Sequence, residues 1–82
     1  MQPAIRGVMT TDDFELIVTF DNDEEGVLDM KPYLGFGVFR AIADPERFRT
    51  ARVSFDTVEW DGGVDLDPEF VYAKCRKVVA GT

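Results

Sequence analysis

Carboxylates, lysines, two tyrosines and one thiol are the reactive side chains of this 82-residue sequence, which contains no histidine. Without imidazole, Ser-His-Asp and Cys-His nucleophile systems and histidine metal sites cannot be built within the chain. The single Cys75 can form neither an intrachain disulfide nor a zinc cluster. It lies on the apolar face of a predicted helix, where a small apolar side chain is expected. We therefore predict that the protein is not an enzyme and carries no cofactor.

Residues 21–26 resemble the first half of a calcium-binding EF-hand loop, with acids at alternate positions and glycine at the sixth. The twelfth position should be a bidentate glutamate, and here it is Pro32. The flanks should be helices, whereas Phe14, Leu16, Val18 and Phe20 alternate with Glu15, Ile17 and Thr19 as in a strand. The tract is therefore predicted to be the polar turn of a β-hairpin.

A second acidic tract contains Asp61, Asp65 and Asp67, whose oxygens could bind Mg²⁺. Asp67 precedes Pro68 and Glu69, and this order predicts a helix cap rather than a ligand. Asp65 has no such structural role. A small-ligand or metal-dependent enzyme built on Asp29, Asp65 and Asp67 is therefore the second hypothesis.

The apolar periodicity predicts an α+β domain over residues 1–82, in the order β-β-β-α-β-β-α. Two short helices are expected to pack on a largely antiparallel sheet. The first helix carries Phe39 and Ile42 and is interrupted at Asp44-Pro45, where a further turn begins. The last helix starts after Asp67, and Val71, Cys75 and Val78 share its buried face. Strands are predicted at residues 4–9, 14–20, 27–30, 51–55 and 57–60, with Trp60 in the core.

The charges form blocks within a net charge of −7. Residues 12–29 contain eight acids and no base, and residues 56–69 contain six acids and no base. Such a chain opposes nucleic-acid binding, which depends on phosphate neutralisation. An accessory role in DNA regulation through the arginines of residues 40–52 is the third hypothesis. Acidic blocks of this size are typical of solvated faces, and they also suit a basic protein partner. A partner or a homodimer would supply further burial.

The apolar residues never run for the roughly 18 positions of a membrane span, and no signal peptide is recognisable. A lone cysteine is typical of a reducing compartment. We therefore expect a cytoplasmic protein without membrane contact.

Three stretches of the sequence form a recognisable set. They are Val18-Thr19-Phe20 with Val27-Leu28-Asp29-Met30 and Pro32; Phe39 with Ile42-Ala43-Asp44 and Phe48; and Val58-Glu59-Trp60-Asp61-Gly62-Gly63-Val64-Asp65-Leu66-Asp67-Pro68 with Tyr72. Together they resemble a widespread family of small bacterial proteins of unknown function. The resemblance implies a small α+β domain, sometimes fused to a helix-turn-helix, with neighbouring genes suspected of toxin-antitoxin behaviour. It implies no catalytic residues.

The leading hypothesis is a non-enzymatic protein-interaction module. The positions at which the chain matches the family pattern form its predicted interaction surface: Asp29, Trp60, Asp65, Asp67 and Tyr72. The resemblance extends this hypothesis to the neutralising member of a two-gene, toxin-antitoxin-like pair.

Overall fold

The strands of the protein form two antiparallel sheets in a computed structural model that describes residues 3–78. The strand bounds are β1 Ile5–Thr10, β2 Glu15–Phe20, β3 Glu25–Asp29, β4 Arg52–Ser54, β5 Thr57–Glu59 and β6 Arg76–Val78. The larger sheet has the strand order β1-β2-β3-β6, and β4 pairs with β5 in a hairpin. With the short helices, this arrangement confirms the predicted α+β class.

In the described part of the chain, four short helical segments connect or cover the strands. Two are 3₁₀ helices, Lys31–Tyr33 and Gly37–Ile42, and two are α-helices, α1 Pro45–Phe48 and α2 Pro68–Lys74. Both predicted caps are confirmed: the Asp44 side chain accepts a hydrogen bond from the Arg47 amide, and that of Asp67 accepts one from the Glu69 amide. The longest helix within residues 3–78 has seven residues, so none there could cross a membrane.

Alternation along β2 sets the position of the core. Leu16, Val18 and Phe20 are fully buried on one face of the strand, as predicted. Trp60 is also 0 % exposed, and its indole Nε1 donates a hydrogen bond of 3.0 Å to the Phe48 carbonyl oxygen. The predicted core position of Trp60 is therefore confirmed.

The predicted hairpin between β2 and β3 is confirmed, but its turn is residues 21–24 rather than 21–26, because Glu25 and Gly26 already pair with Thr19 and Val18. The Asn22 Oδ1 accepts a hydrogen bond of 3.0 Å from the Glu24 amide. Asp23 adopts a left-handed φ of 70°, which aspartate tolerates better than most residues.

The prediction that the last helix continues to Val78 is wrong. Helix α2 ends at Lys74, and Cys75 is extended with φ −71° and ψ 151°. The chain then returns beside β3 as β6, in which Arg76 pairs with Val27. The helical spacing of Val71, Cys75 and Val78 reflects two separate elements, because pairing with β3 replaces the helical hydrogen bonds beyond Cys75.

Two further expectations need correction. Residues 37–42 form a 3₁₀ helix rather than the expected α-helix, and only Ile42 in it is buried. Phe55, expected to continue the alternation of its strand, is 98 % exposed in the two-residue turn between β4 and β5. Both turn residues, Phe55 and Asp56, have positive φ, and this turn takes Phe55 out of the strand.

Candidate interaction surfaces

The predicted interaction residues lie in four different places. Trp60 is in the core, so its side chain is not available to a partner in this structure. Asp29 is at the end of β3, and Tyr72 is on α2. Only Asp65 and Asp67 come together, on either side of the buried Leu66.

Asp29 interacts with Lys31, two residues later in the chain. Its Oδ1 accepts a hydrogen bond from the Lys31 amide at 3.0 Å and forms an ion pair of 3.0 Å with Lys31 Nζ. The backbone hydrogen bond from Lys31, followed by the side-chain one, lowers the pKa of Asp29 below its usual 3.8. Lys31 also pairs with Asp13 at 3.7 Å, so this lysine neutralises two acids.

Tyr72 links α2 to the turn between β2 and β3. Its hydroxyl donates a hydrogen bond of 2.6 Å to Glu24 Oε1, and Lys77 Nζ lies 3.7 Å from the centroid of its ring. The Tyr72 hydrogen bond, followed by that of Asn22, lowers the pKa of Glu24, and the same bond to Glu24 raises the pKa of Tyr72. These contacts occupy the polar tip and one face of the Tyr72 ring.

Asp65 and Asp67 line a groove of about 360 Å³ with three aromatic rings and a leucine. We call it the aromatic groove; its lining residues are Tyr33, Phe39, Asp65, Leu66, Asp67 and Phe70. The Tyr33 and Phe70 rings meet edge to face at 5.3 Å. Asp67 is held by its cap, whereas the Asp65 side chain has no hydrogen bond or ion pair within residues 3–78.

The segment that supplies Tyr33 and Phe39 also carries two exposed apolar side chains, Phe36 at 70 % and Val38 at 66 %. The Phe36 amide bonds to the Tyr33 carbonyl, and the Phe39 amide bonds to the Phe36 carbonyl, so the segment is compactly folded. Sequence reasoning missed this surface. The available signal was Phe36 between Gly35 and Gly37, an apolar residue outside any regular periodicity.

A second surface is the face of the larger sheet opposite the core. The register places Met9, Ile17, Val27 and Arg76 in one row across all four strands. Among the described residues, the core cluster and the hydrophobic side chains packed on it include none of these four. We call this the outer sheet face; it consists of Met9, Glu15, Ile17, Thr19, Glu25, Val27, Asp29, Arg76 and Val78.

Within residues 3–78, most carboxylates form no ion pair with a lysine or arginine. Five of the sixteen acids form ion pairs within 4.0 Å, all with Arg6, Lys31 or Arg52, and the other eleven have no such partner in residues 3–78. Arg52, in the segment considered for DNA, pairs with Asp61 at 2.8 Å. Within residues 3–78, no three acidic or thiol side chains lie close enough together to hold a metal ion.

The family model for a protein of unknown function, DUF2442, matches residues 5–77 of this sequence. The chain belongs to the DUF2442 family. The match therefore runs from the first residue of β1 into β6, and it includes every residue that lines the aromatic groove. Searches of the curated proteins and of the solved structures found no match to this DUF2442 member.

Proposed function

We propose that this DUF2442 chain is a non-enzymatic, cytoplasmic interaction module that binds a basic protein. The observation that carries the proposal is that eleven carboxylates, against six bases, form no ion pair within residues 3–78 of a chain whose net charge is −7. A surface with this imbalance attracts a cationic partner and repels an anionic one. It also disfavours nucleic acid as the partner.

Within this proposal the chain is the neutralising member of a two-gene, toxin-antitoxin-like pair. The acidic charge supports this role, since a small acidic domain can mask a basic surface on the partner. Asp29 lines a different groove from Asp65 and Asp67, which favours binding over an enzyme built on all three acids, because general acid-base chemistry needs groups that converge on one reacting atom.

Co-purification from the native host at low and high salt, followed by mass spectrometry, tests the proposal. We expect one stoichiometric basic protein at low salt that dissociates as salt is raised, because the exposed charges are screened. Recovery of the isolated chain at every salt concentration would contradict the proposal.

A second candidate is a homodimer through the outer sheet face. This face combines the apolar Met9, Ile17 and Val27 with Glu25 and Arg76, so two copies related by a two-fold axis can place a base against an acid. Met9 on this face is 64 % exposed and therefore open to a second copy.

Sedimentation equilibrium of the wild-type chain, the Ile17→Lys variant and the control Val53→Lys variant tests the homodimer. A dimer that Ile17→Lys abolishes and Val53→Lys keeps would support it. A monomeric wild-type chain would contradict it.

A further inference from the structure

We infer that the aromatic groove receives one cationic side chain, preferably an arginine, of the basic partner. This inference rests on the proposed function and assigns it a binding site. The occupant follows from the lining of the groove, which combines three aromatic rings with two acids and, among the residues that the structure describes, contains no base.

The two carboxylates supply the charge complementarity. Asp65 and Asp67 are both exposed, and neither forms an ion pair within residues 3–78. Asp67 uses Oδ1 for the Glu69 amide, at 2.9 Å, which leaves Oδ2 for another donor. A guanidinium has five N–H donors in a fixed plane and can therefore bond to both side chains.

The rings supply the second part of the site. A cation within about 6 Å of a ring centroid is attracted to the aromatic face. The chain already contains one such contact, Lys77 on Tyr72, whereas no Lys or Arg of the described residues occupies Tyr33, Phe39 or Phe70 in this way. A planar guanidinium also stacks on rings, which favours arginine over lysine.

The dimensions fit a side chain better than a larger element. The groove has about 360 Å³, near the lower limit for small-molecule sites. The exposed Phe36 and Val38 belong to the segment that forms one wall, so the backbone next to an inserted arginine would find apolar contact there. An aspartate or glutamate in the groove would meet Asp65 and Asp67 and be repelled.

Titration of the ¹⁵N-labelled full chain with N-acetyl-arginine amide at low salt, followed by two-dimensional NMR, tests the inference. We expect saturable shifts of the Tyr33, Leu66 and Phe70 amides with a millimolar Kd, and weaker effects with N-acetyl-lysine amide. The neutral N-acetyl-leucine amide should give no comparable saturation.

The paired variant Asp65→Asn with Asp67→Asn removes both charges, while the new side-chain amide oxygen at position 67 still caps α2. Its Kd for the arginine amide should be roughly tenfold weaker, since two charge-assisted hydrogen bonds become neutral ones. The control pair Asp21→Asn with Glu46→Gln changes the net charge equally outside the groove and should bind as the wild type does.

Equal saturation by the leucine amide, equal weakening in the control pair, or shifts confined to other residues would overturn the inference. The inference would also be overturned if an arginine of a second copy already fills the groove. Amide shifts of the groove residues that depend on protein concentration in the absence of ligand would reveal this. Failure here with a basic protein still captured from the host would leave the proposed function standing. Saturable arginine binding without any captured protein would instead count against the proposed function alone.

Discussion

The Cys75 thiol lies directly over Gly26: a Cβ added to Gly26 would stand 2.6 Å from Cys75 Sγ and 3.2 Å from its Cβ. Cys75 is the residue at which the chain leaves α2, and Gly26 pairs with Lys77 of β6. The missing side chain of Gly26 therefore lets the chain after α2 approach β3 closely enough to pair with it.

Gly26→Ala should destabilise the fold by about 1–3 kcal/mol, because the added methyl overpacks a buried contact. Urea unfolding monitored by Trp60 fluorescence measures this loss. Cys75→Ala removes Sγ, so the double variant should recover part of the loss and reveal coupling between the two sites.

Gly7→Ala is the matched control for this series. A Cβ on Gly7 would meet its nearest atom at 3.8 Å, which is ordinary contact, and the substitution should be nearly neutral. If Gly26→Ala is equally neutral, the close approach of Cys75 does not control pairing of β6 with β3.

Local patterns predicted the elements whose hydrogen bonds and burial are themselves local. The alternation of Leu16, Val18 and Phe20 identified β2, and each Asp-Pro pair identified a helix start. Strand β6 could not be predicted in this way, because Arg76, Lys77 and Val78 lack alternation and depend on a partner strand that lies far earlier in the sequence. A helical spacing continued across Cys75 by coincidence, and tertiary pairing overrode it.

The same limit of local patterns applies to the aromatic groove. Asp65 and Asp67 were predicted from a local string, and the structure places them in one groove. Tyr33, Phe39 and Phe70 join them only because 3₁₀ segments and α2 converge there, which the spacing of aromatics along the sequence does not reveal.

The hydrogen bond from Tyr72 to Glu24 predicts a pH dependence at both extremes. That bond lowers the pKa of Glu24 from 4.5. The stabilisation of the fold by ionised Glu24 is therefore present above pH 4.5 and is lost as pH falls through the lowered pKa. The same bond raises the pKa of Tyr72 from 10.0. The stabilisation of the fold by the protonated Tyr72 hydroxyl is therefore present below pH 10.0 and is lost as pH rises through the raised pKa.

Tyr72→Phe should therefore lower the melting temperature most between these limits and flatten the pH profile. Tyr33→Phe is the control, because the Tyr33 hydroxyl makes no side-chain hydrogen bond within residues 3–78. Parallel wild-type and Tyr72→Phe profiles, measured by calorimetry from acid to alkaline pH, would refute the linkage.

Trp60→Phe should cost about 2–4 kcal/mol of unfolding free energy. The change leaves a cavity in the core and removes the shorter of two hydrogen bonds to the Phe48 carbonyl oxygen, the other coming from the Ala51 amide. Guanidinium unfolding followed by circular dichroism measures it. Because the indole is buried, any effect of Trp60→Phe on partner binding should follow from its loss of stability. Weaker binding by a fully folded and equally stable variant would instead show that Trp60 contacts the partner.

Substitutions in the turn between β4 and β5 should stabilise the fold. Phe55 and Asp56 have φ values of 49° and 67°, and a two-residue turn with both φ positive is best served by Asn-Gly. Phe55→Asn with Asp56→Gly should therefore raise the unfolding free energy by about 0.5–1 kcal/mol, keeping the Asp56 carbonyl that bonds to the Ile5 amide. A lower melting temperature would show that Phe55 contributes more to stability than its 98 % exposure indicates.

Lys31 should stabilise the end of the larger sheet by electrostatics. Glu15 and Asp29 stand directly opposite each other on β2 and β3, and like charges in this position repel. The hydrogen bond to Asp29 raises the pKa of Lys31 above 10.5, so the stabilisation from its charge is present below 10.5 and is lost as pH rises through the raised pKa. Lys31→Met keeps the backbone amide that bonds to Asp29, removes only the ammonium, and should lower the melting temperature slightly at neutral pH.

The loss in Lys31→Met should shrink in high salt, because these groups are exposed and screened. It should also shrink as pH falls below 3.8 through the lowered pKa of Asp29, where the carboxylate that Lys31 neutralises becomes protonated. Lys74→Met is the control, since Lys74 forms no ion pair within residues 3–78. A difference between the two variants that persists in high salt would indicate that the alkyl chain of Lys31, rather than its charge, supports the opposed acids.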